Sequence, residues 1–175
     1  MSVTQGRKAT RLAPWAAALA VASALAVGTP VSVSAAASDV EFDLPAGQAC
    51  AFPLHVVGTG DKRIMREFTD QNGNVVRLLS AGKGFTLTFT NVDTDESLTL
   101  QSNGSVERTT VNSDGTRTVV STGHNVLILF PTDIPAGPST ALYVGQIVYT
   151  VVDASGVFTL QSTSGRTTDL CALLA

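Results

Sequence analysis

The sequence predicts an all-β protein, an antiparallel meander of about eight to nine strands, and three observations carry that reading. Beyond residue 37 the chain holds 19 Thr and 16 Val in 138 residues. Such β-branched side chains are stiff at χ1, suit a pleated half-buried surface and form helices poorly. No stretch past residue 38 keeps apolar residues at helical spacing for three turns; the recurring period is two. Turn chemistry divides the runs, with Asn72-Gly73, Asp114-Gly115 and Ser155-Gly156 at the breaks.

The elements follow in order. An opening strand is expected over residues 51–57, and Val40–Leu44 is able to add an edge strand before it. Residues 63–69 and 75–80 flank Asp70-Gln-Asn-Gly-Asn74, the strongest short hairpin signal in the chain. Over 85–90, Phe85, Leu87 and Phe89 face one way and three threonines the other; 97–101 repeats the pattern after a loop at 91–96. Residues 105–111 and 116–121 flank the turn at 112–115. Residues 126–130 are apolar on both faces, which marks a central or covered strand. Residues 131–140 hold Pro131, Pro135 and Pro138 and read as the longest irregular stretch. The long strand 141–152 then turns at 153–156 into 157–163. Its interior Gly145 suits a bend at a barrel corner, so an up-and-down β-barrel is expected over a β-sandwich.

The first residues predict an address rather than a fold. Arg7, Lys8 and Arg11 precede a small-apolar run over 15–27, and the small residues 33–37 follow. A basic start, a short apolar core and an A-x-A-like exit make a Sec-type signal peptide over 1–37, cleaved on export. The apolar run is shorter than the roughly 20 residues a membrane span needs. Residues 38–49 are expected to form a flexible leader and 50–175 a single β domain, secreted and soluble, with no membrane span or lipid anchor. All fourteen acidic residues but only eight of the eleven basic ones lie beyond residue 37, a balance of −6. That charge argues against nucleic acid as a partner.

Cys50 and Cys171 allow one pairing in an oxidising compartment, and neither has C-x-x-C spacing or histidine neighbours for metal or redox work. A disulfide is therefore expected, closing a loop of 120 residues. The start Cys50-Ala-Phe-Pro53, the segments Thr88-Phe-Thr-Asn-Val-Asp-Thr94 and Phe130-Pro-Thr-Asp133, and the ending Gly165-Arg-Thr-Thr-Asp-Leu-Cys171-Ala resemble a family of small secreted all-β proteins of actinobacteria. The resemblance implies export and the disulfide; that family has no assigned activity, so it implies no mechanism.

Motifs for chemistry are sparse. No Gly-x-Ser-x-Gly elbow occurs. Ala81-Gly-Lys-Gly84 lacks the flanking residues of a phosphate loop and reads as a turn. Asn91, Asp93, Asp95 and Glu96 place oxygen ligands like the start of a calcium loop, but the sixth position is Glu96 rather than Gly and the twelfth Ser102 rather than Glu. A solvated acidic hairpin tip is the simpler reading. His55 lies on the face opposite Leu54 and Val56, and His124 falls in a loop at 122–125; two histidines without carboxylate neighbours make no zinc set. No cofactor is expected.

Arg66 and Arg77 are the candidate ligand-binding pair. A two-residue Asn72-Gly73 turn pairs Phe68 with Arg77 and Arg66 with Leu79, which sets both arginines on one apolar face. Two guanidiniums there can clamp a carboxylate or phosphate. The competing arrangement lays their stems over apolar neighbours with the heads in water. The expected function is thus a non-enzymatic extracellular or cell-envelope binding or structural protein. The alternative is a small barrel carrying a lipophilic or anionic ligand, or a barrel enzyme with an interior site.

Overall fold

The computed structural model describes residues 40–175, and the leader expected over 1–37 lies outside them. Ten strands and one helical turn follow in order: β1 (Val40–Leu44), β2 (Leu54–Thr59), β3 (Lys62–Thr69), β4 (Val75–Lys83), β5 (Thr86–Asn91), β6 (Ser97–Leu100), β7 (Ser105–Val111), β8 (Thr116–Leu129), β9 (Ser139–Val152), β10 (Phe158–Asp169) and α1 (Leu170–Leu173). They make two antiparallel sheets, ordered β1-β2-β5-β6 and β10-β9-β8-β7-β4-β3. Neither sheet closes on itself among the described residues.

Local chemistry sets the strands much as expected. The β3–β4 register pairs Phe68 with Arg77 and Arg66 with Leu79, and the Asp70 carboxylate accepts from the Asn72 and Asn74 N–H groups to hold the turn. On β5, Phe89 is buried and Leu87 packs on the core, while the opposite face carries a hydroxyl ladder, Thr88 to Thr99 at 3.0 Å and Thr90 to Ser97 at 2.9 Å.

Three expectations are corrected. The chain is not a run of consecutive hairpins: β4 pairs with β3 and β7, and β5–β6 leaves for the other sheet, where β5 lies on β2. The cause is apolar, because this crossing puts Leu87, Phe89 and Leu98 with Leu54 and Val56 in one core. The segments 116–121 and 126–130 are one strand, β8, running through Gly123 and His124. Of residues 38–49, expected as a flexible leader, Val40–Leu44 instead forms the edge strand that its sequence allowed. β1 pairs with β2 along its length, His55 lies 2.7 Å from Asp43 across that pair, and Ala49 is fully buried.

The core lies between the sheets. Leu54, Val56 and Phe89 meet Leu170 and Leu174 there, and Val126, Ile128 and Leu142 pack on them from the six-stranded sheet. Burial of side chains this size is worth about 2 kcal/mol each. One end is tied by three links: the Cys50–Cys171 disulfide, Asn91 Nδ2 donating to the Leu174 carbonyl at 2.8 Å, and Thr140 Oγ1 donating to the Ala49 carbonyl at 3.0 Å. Asp169 caps α1 by accepting from the Ala172 N–H. The proline-rich loop is anchored by buried Asp133, which accepts from the Phe130 and Phe158 N–H groups. Ile134 then bridges onto β10 beside Thr159.

The six-stranded sheet carries one crease. Gly82, Ser105, Gly123, Gly145 and Gly165 are successive Cα partners across β4, β7, β8, β9 and β10, with Gly104 just before Ser105. At Gly145 and Gly165 the φ angles are +149° and +93°, and a Cβ on either would strike the neighbouring backbone. Ser121 and Asn125 flank Gly123 on β8, and the Ser121 hydroxyl donates to Asn125 Oδ1 at 2.7 Å. Four residues of straight strand span about 13 Å, so this bond requires the strand to fold sharply there. On one side of the crease β8, β9 and β10 run on against the four-stranded sheet; on the other all six strands continue as a second panel.

Candidate functional site

The β6–β7 connection crosses from one sheet to the other beside the crease, and a cleft of about 210 Å³ lies there. Phe85, Leu100 and Gln101 line it from the four-stranded side; Arg63, Glu107, His124 and Asn125 line it from β3, β7 and β8. An adjoining cleft of about 350 Å³ shares Gln101 and His124 and adds Asn103 and Arg166. The crease therefore brings together polar groups from four strands that are far apart in sequence.

Their electrostatics are anchored at Arg63. Its Nε donates to Asp61 Oδ1 at 3.0 Å and its Nη2 to Asp61 Oδ2 at 2.6 Å, and its guanidinium lies 5.7 Å from the Phe85 ring centroid. The hydrogen bond from Arg63 holds the Asp61 carboxyl below its ordinary range, against a smaller opposing effect of burial. The same bond raises Arg63, with the charge of Glu107 acting in the same direction. Asn125 gives its Oδ1 to Ser121, and its buried Nδ2 has no protein partner. Turning the amide over exchanges the two ends and leaves the other one unmet.

Glu107 also lines a second cleft, about 320 Å³, on the free panel, together with Met65, Leu78 and Tyr149. Arg117 Nε and Asp153 Oδ1 form an ion pair at 2.9 Å on this cleft's lining. Tyr149 stacks on Phe158 with centroids 4.1 Å apart; burial pushes its hydroxyl pKa well up, and the Glu107 charge adds to the rise. Glu107, Arg117 and Tyr149 put hydrogen-bonding groups from β7, β8 and β9 on one lining. No group of three or more His, Cys, Asp or Glu is disposed to hold a metal among the described residues.

Arg66 and Arg77 do lie on one face in the expected register, but both are exposed and neither lines these clefts. The Arg77 guanidinium sits 5.9 Å from the Phe68 ring centroid, the arrangement of stems over apolar neighbours. In the acidic loop, Asn91 is buried and already engaged: its Nδ2 bonds Leu174 and its Oδ1 accepts from the Asp93 N–H at 3.0 Å. Asp93, Asp95 and Glu96 remain exposed at the tip. The expected disulfide joins Cys50 to Cys171 with Cα atoms 5.5 Å apart.

Sequence reasoning missed Arg63, Glu107, His124 and Asn125 as a set. The signal that marks them is the spacing of Gly82, Gly104, Gly123, Gly145 and Gly165, which recur every 19 to 22 residues inside or beside strands. No protein-family model matches this chain, and neither does any curated protein or solved structure.

Proposed function

We propose that the protein is exported and acts outside the cell as a non-enzymatic binding or structural protein, recognising a polar ligand in the cleft at the crease. The Cys50–Cys171 disulfide carries the export reading, since such bonds persist in oxidising compartments. The leader chemistry of residues 1–37 and the actinobacterial resemblance point the same way. Recognition is supported by the cleft itself, where Arg63 and Gln101 offer donors and Glu107 an acceptor beside the Phe85 ring. A barrel carrier needs a ligand-holding interior, and Phe89, Leu54, Val56, Leu170 and Leu174 occupy the space between the sheets.

Native mass spectrometry of the protein recovered from its own culture medium tests export. The expected species lacks about the first 37 residues and both free thiols; intracellular, full-length protein with two thiols overturns the reading. Amide shift mapping with soluble polysaccharide and peptidoglycan fractions of that culture tests the cleft. Shifts are expected at Gln101, His124 and Asn125, and shifts confined to other surfaces discard it as the site.

A further inference from the structure

The two sheets have four ends, and three are blunted. β1 has five residues and carries Glu41 and Asp43; β6 has four residues. β10 has a register shift between Leu160 and Ser162, Ile134 is docked beside Thr159, and the crease at Gly165 bends the remainder, so its straight open runs are short. Short length, bulges and docked loops keep open edges from pairing. β3 carries Lys62, Arg63, Arg66 and Glu67, but it is neither short nor covered by a loop: it runs eight exposed residues, and its register shift falls only at the last pair, Phe68/Thr69. Ile64 is 70% and Met65 65% exposed.

We propose that β3 is a self-association edge, pairing antiparallel with β3 of a second copy so that Met65 lies opposite Met65. The charge pattern selects both the partner and the register. About Met65, Arg63 falls opposite Glu67 twice, Ile64 opposite Arg66, and Lys62 opposite Phe68, with no like charges facing. Centred on Arg66, the two copies set Arg66 against Arg66. Centred on Ile64, they set Lys62 against Arg66 twice. Arg63, Met65 and Glu67 share one face of the strand, so both ion pairs form on the face that lines the clefts. Glu67 has no ion-pair partner among the described residues. Arg63 spends only Nε and Nη2 on Asp61, leaving Nη1 for a second carboxylate.

Sedimentation velocity of the purified protein across the micromolar range tests this. A concentration-dependent dimer is expected, and Glu67→Arg should weaken it at least roughly tenfold, as opposed like charges replace both pairs. Arg63→Glu should do the same alone, and an equimolar mixture of the two variants should recover the dimer. Met65→Lys, at an exposed position on the dyad, is a further variant expected to dissociate it while leaving the circular dichroism spectrum unchanged. A protein that stays monomeric throughout, or a dimer that neither Glu67→Arg nor Met65→Lys weakens, overturns the proposal.

Discussion

Gly145 and Gly165 are direct partners across β9 and β10, and each sits where a Cβ would collide with the other strand: Gly145 against the Ser164 carbonyl, Gly165 against that of Val144. Backbone meets backbone here, so no flexible side chain can give way. Gly145→Ala is expected to lower unfolding stability by about 3 kcal/mol, combining strained φ with collision. Gly73→Ala provides the contrast, since its φ is +84° but nothing lies within 4 Å. That variant should lose only about 1 kcal/mol. Urea midpoints at equal m-values measure both, and equal losses would show that crowding at the crease is unimportant.

Replacing both Cys50 and Cys171 by Ala should cost about 4–5 kcal/mol, the loop-closure value for a loop this long. α1 should then detach, because the bond sits beside the buried Leu170 and Leu174. Chemical denaturation gives the loss, and hydrogen exchange at the Leu174 amide reports the detachment. A loss below about 1 kcal/mol would remove the disulfide from any account of stability.

Asn91→Ala should destabilise the fold by about 2–3 kcal/mol, leaving the Leu174 carbonyl and the Asp93 N–H without their partner. Low-millimolar calcium should leave the melting temperature of the wild type unchanged. A calcium-dependent rise that Asp93→Asn abolishes would restore the acidic loop as a cation site.

Asp61, Asp70 and Asp114 are all held below the ordinary carboxyl value of 3.8, chiefly by side-chain hydrogen bonds from Arg63, Asn74 and Thr116 respectively. A folded-state pKa below the unfolded one means the unfolded chain binds more protons in between, so stability rises with pH through that window. The contribution is complete above the unfolded value and drains away as pH falls through 3.8 and below. Thermal melts from pH 6 to pH 2 should show a midpoint that drops steeply only in this acid range, and more shallowly in Asp61→Asn. Identical acid slopes for variant and wild type would contradict the assignment to Asp61.

The strands were legible where one residue pair repeats its preference, as in the Phe/Thr alternation of β5, and where a turn demands particular residues, as at Asn72-Gly73. Pairing partners were less legible. Ala81-Gly-Lys-Gly84 has hairpin composition, but whether β5 stays beside β4 depends on which sheet gains Leu87 and Phe89, a property of the assembled core. His124 read as a loop residue because Thr122-Gly-His-Asn125 has loop composition, and a glycine kink within a continuous ladder uses the same letters. The cleft escaped notice for a related reason. Arg63, Glu107 and Asn125 come from three strands, and only the shared crease makes them neighbours.

That crease also limits how the gene can drift. Its members sit at matching depths in successive strands, so a one-residue insertion or deletion inside any strand slides its glycine out of line with the next. Length changes are expected to survive at the tips of the hairpins, where a loop absorbs them, and to be purged between tip and crease. Homologous chains should therefore show gaps in the turns and near-constant intervals from one glycine to the next, making the crease a ruler against which remote relatives can be aligned.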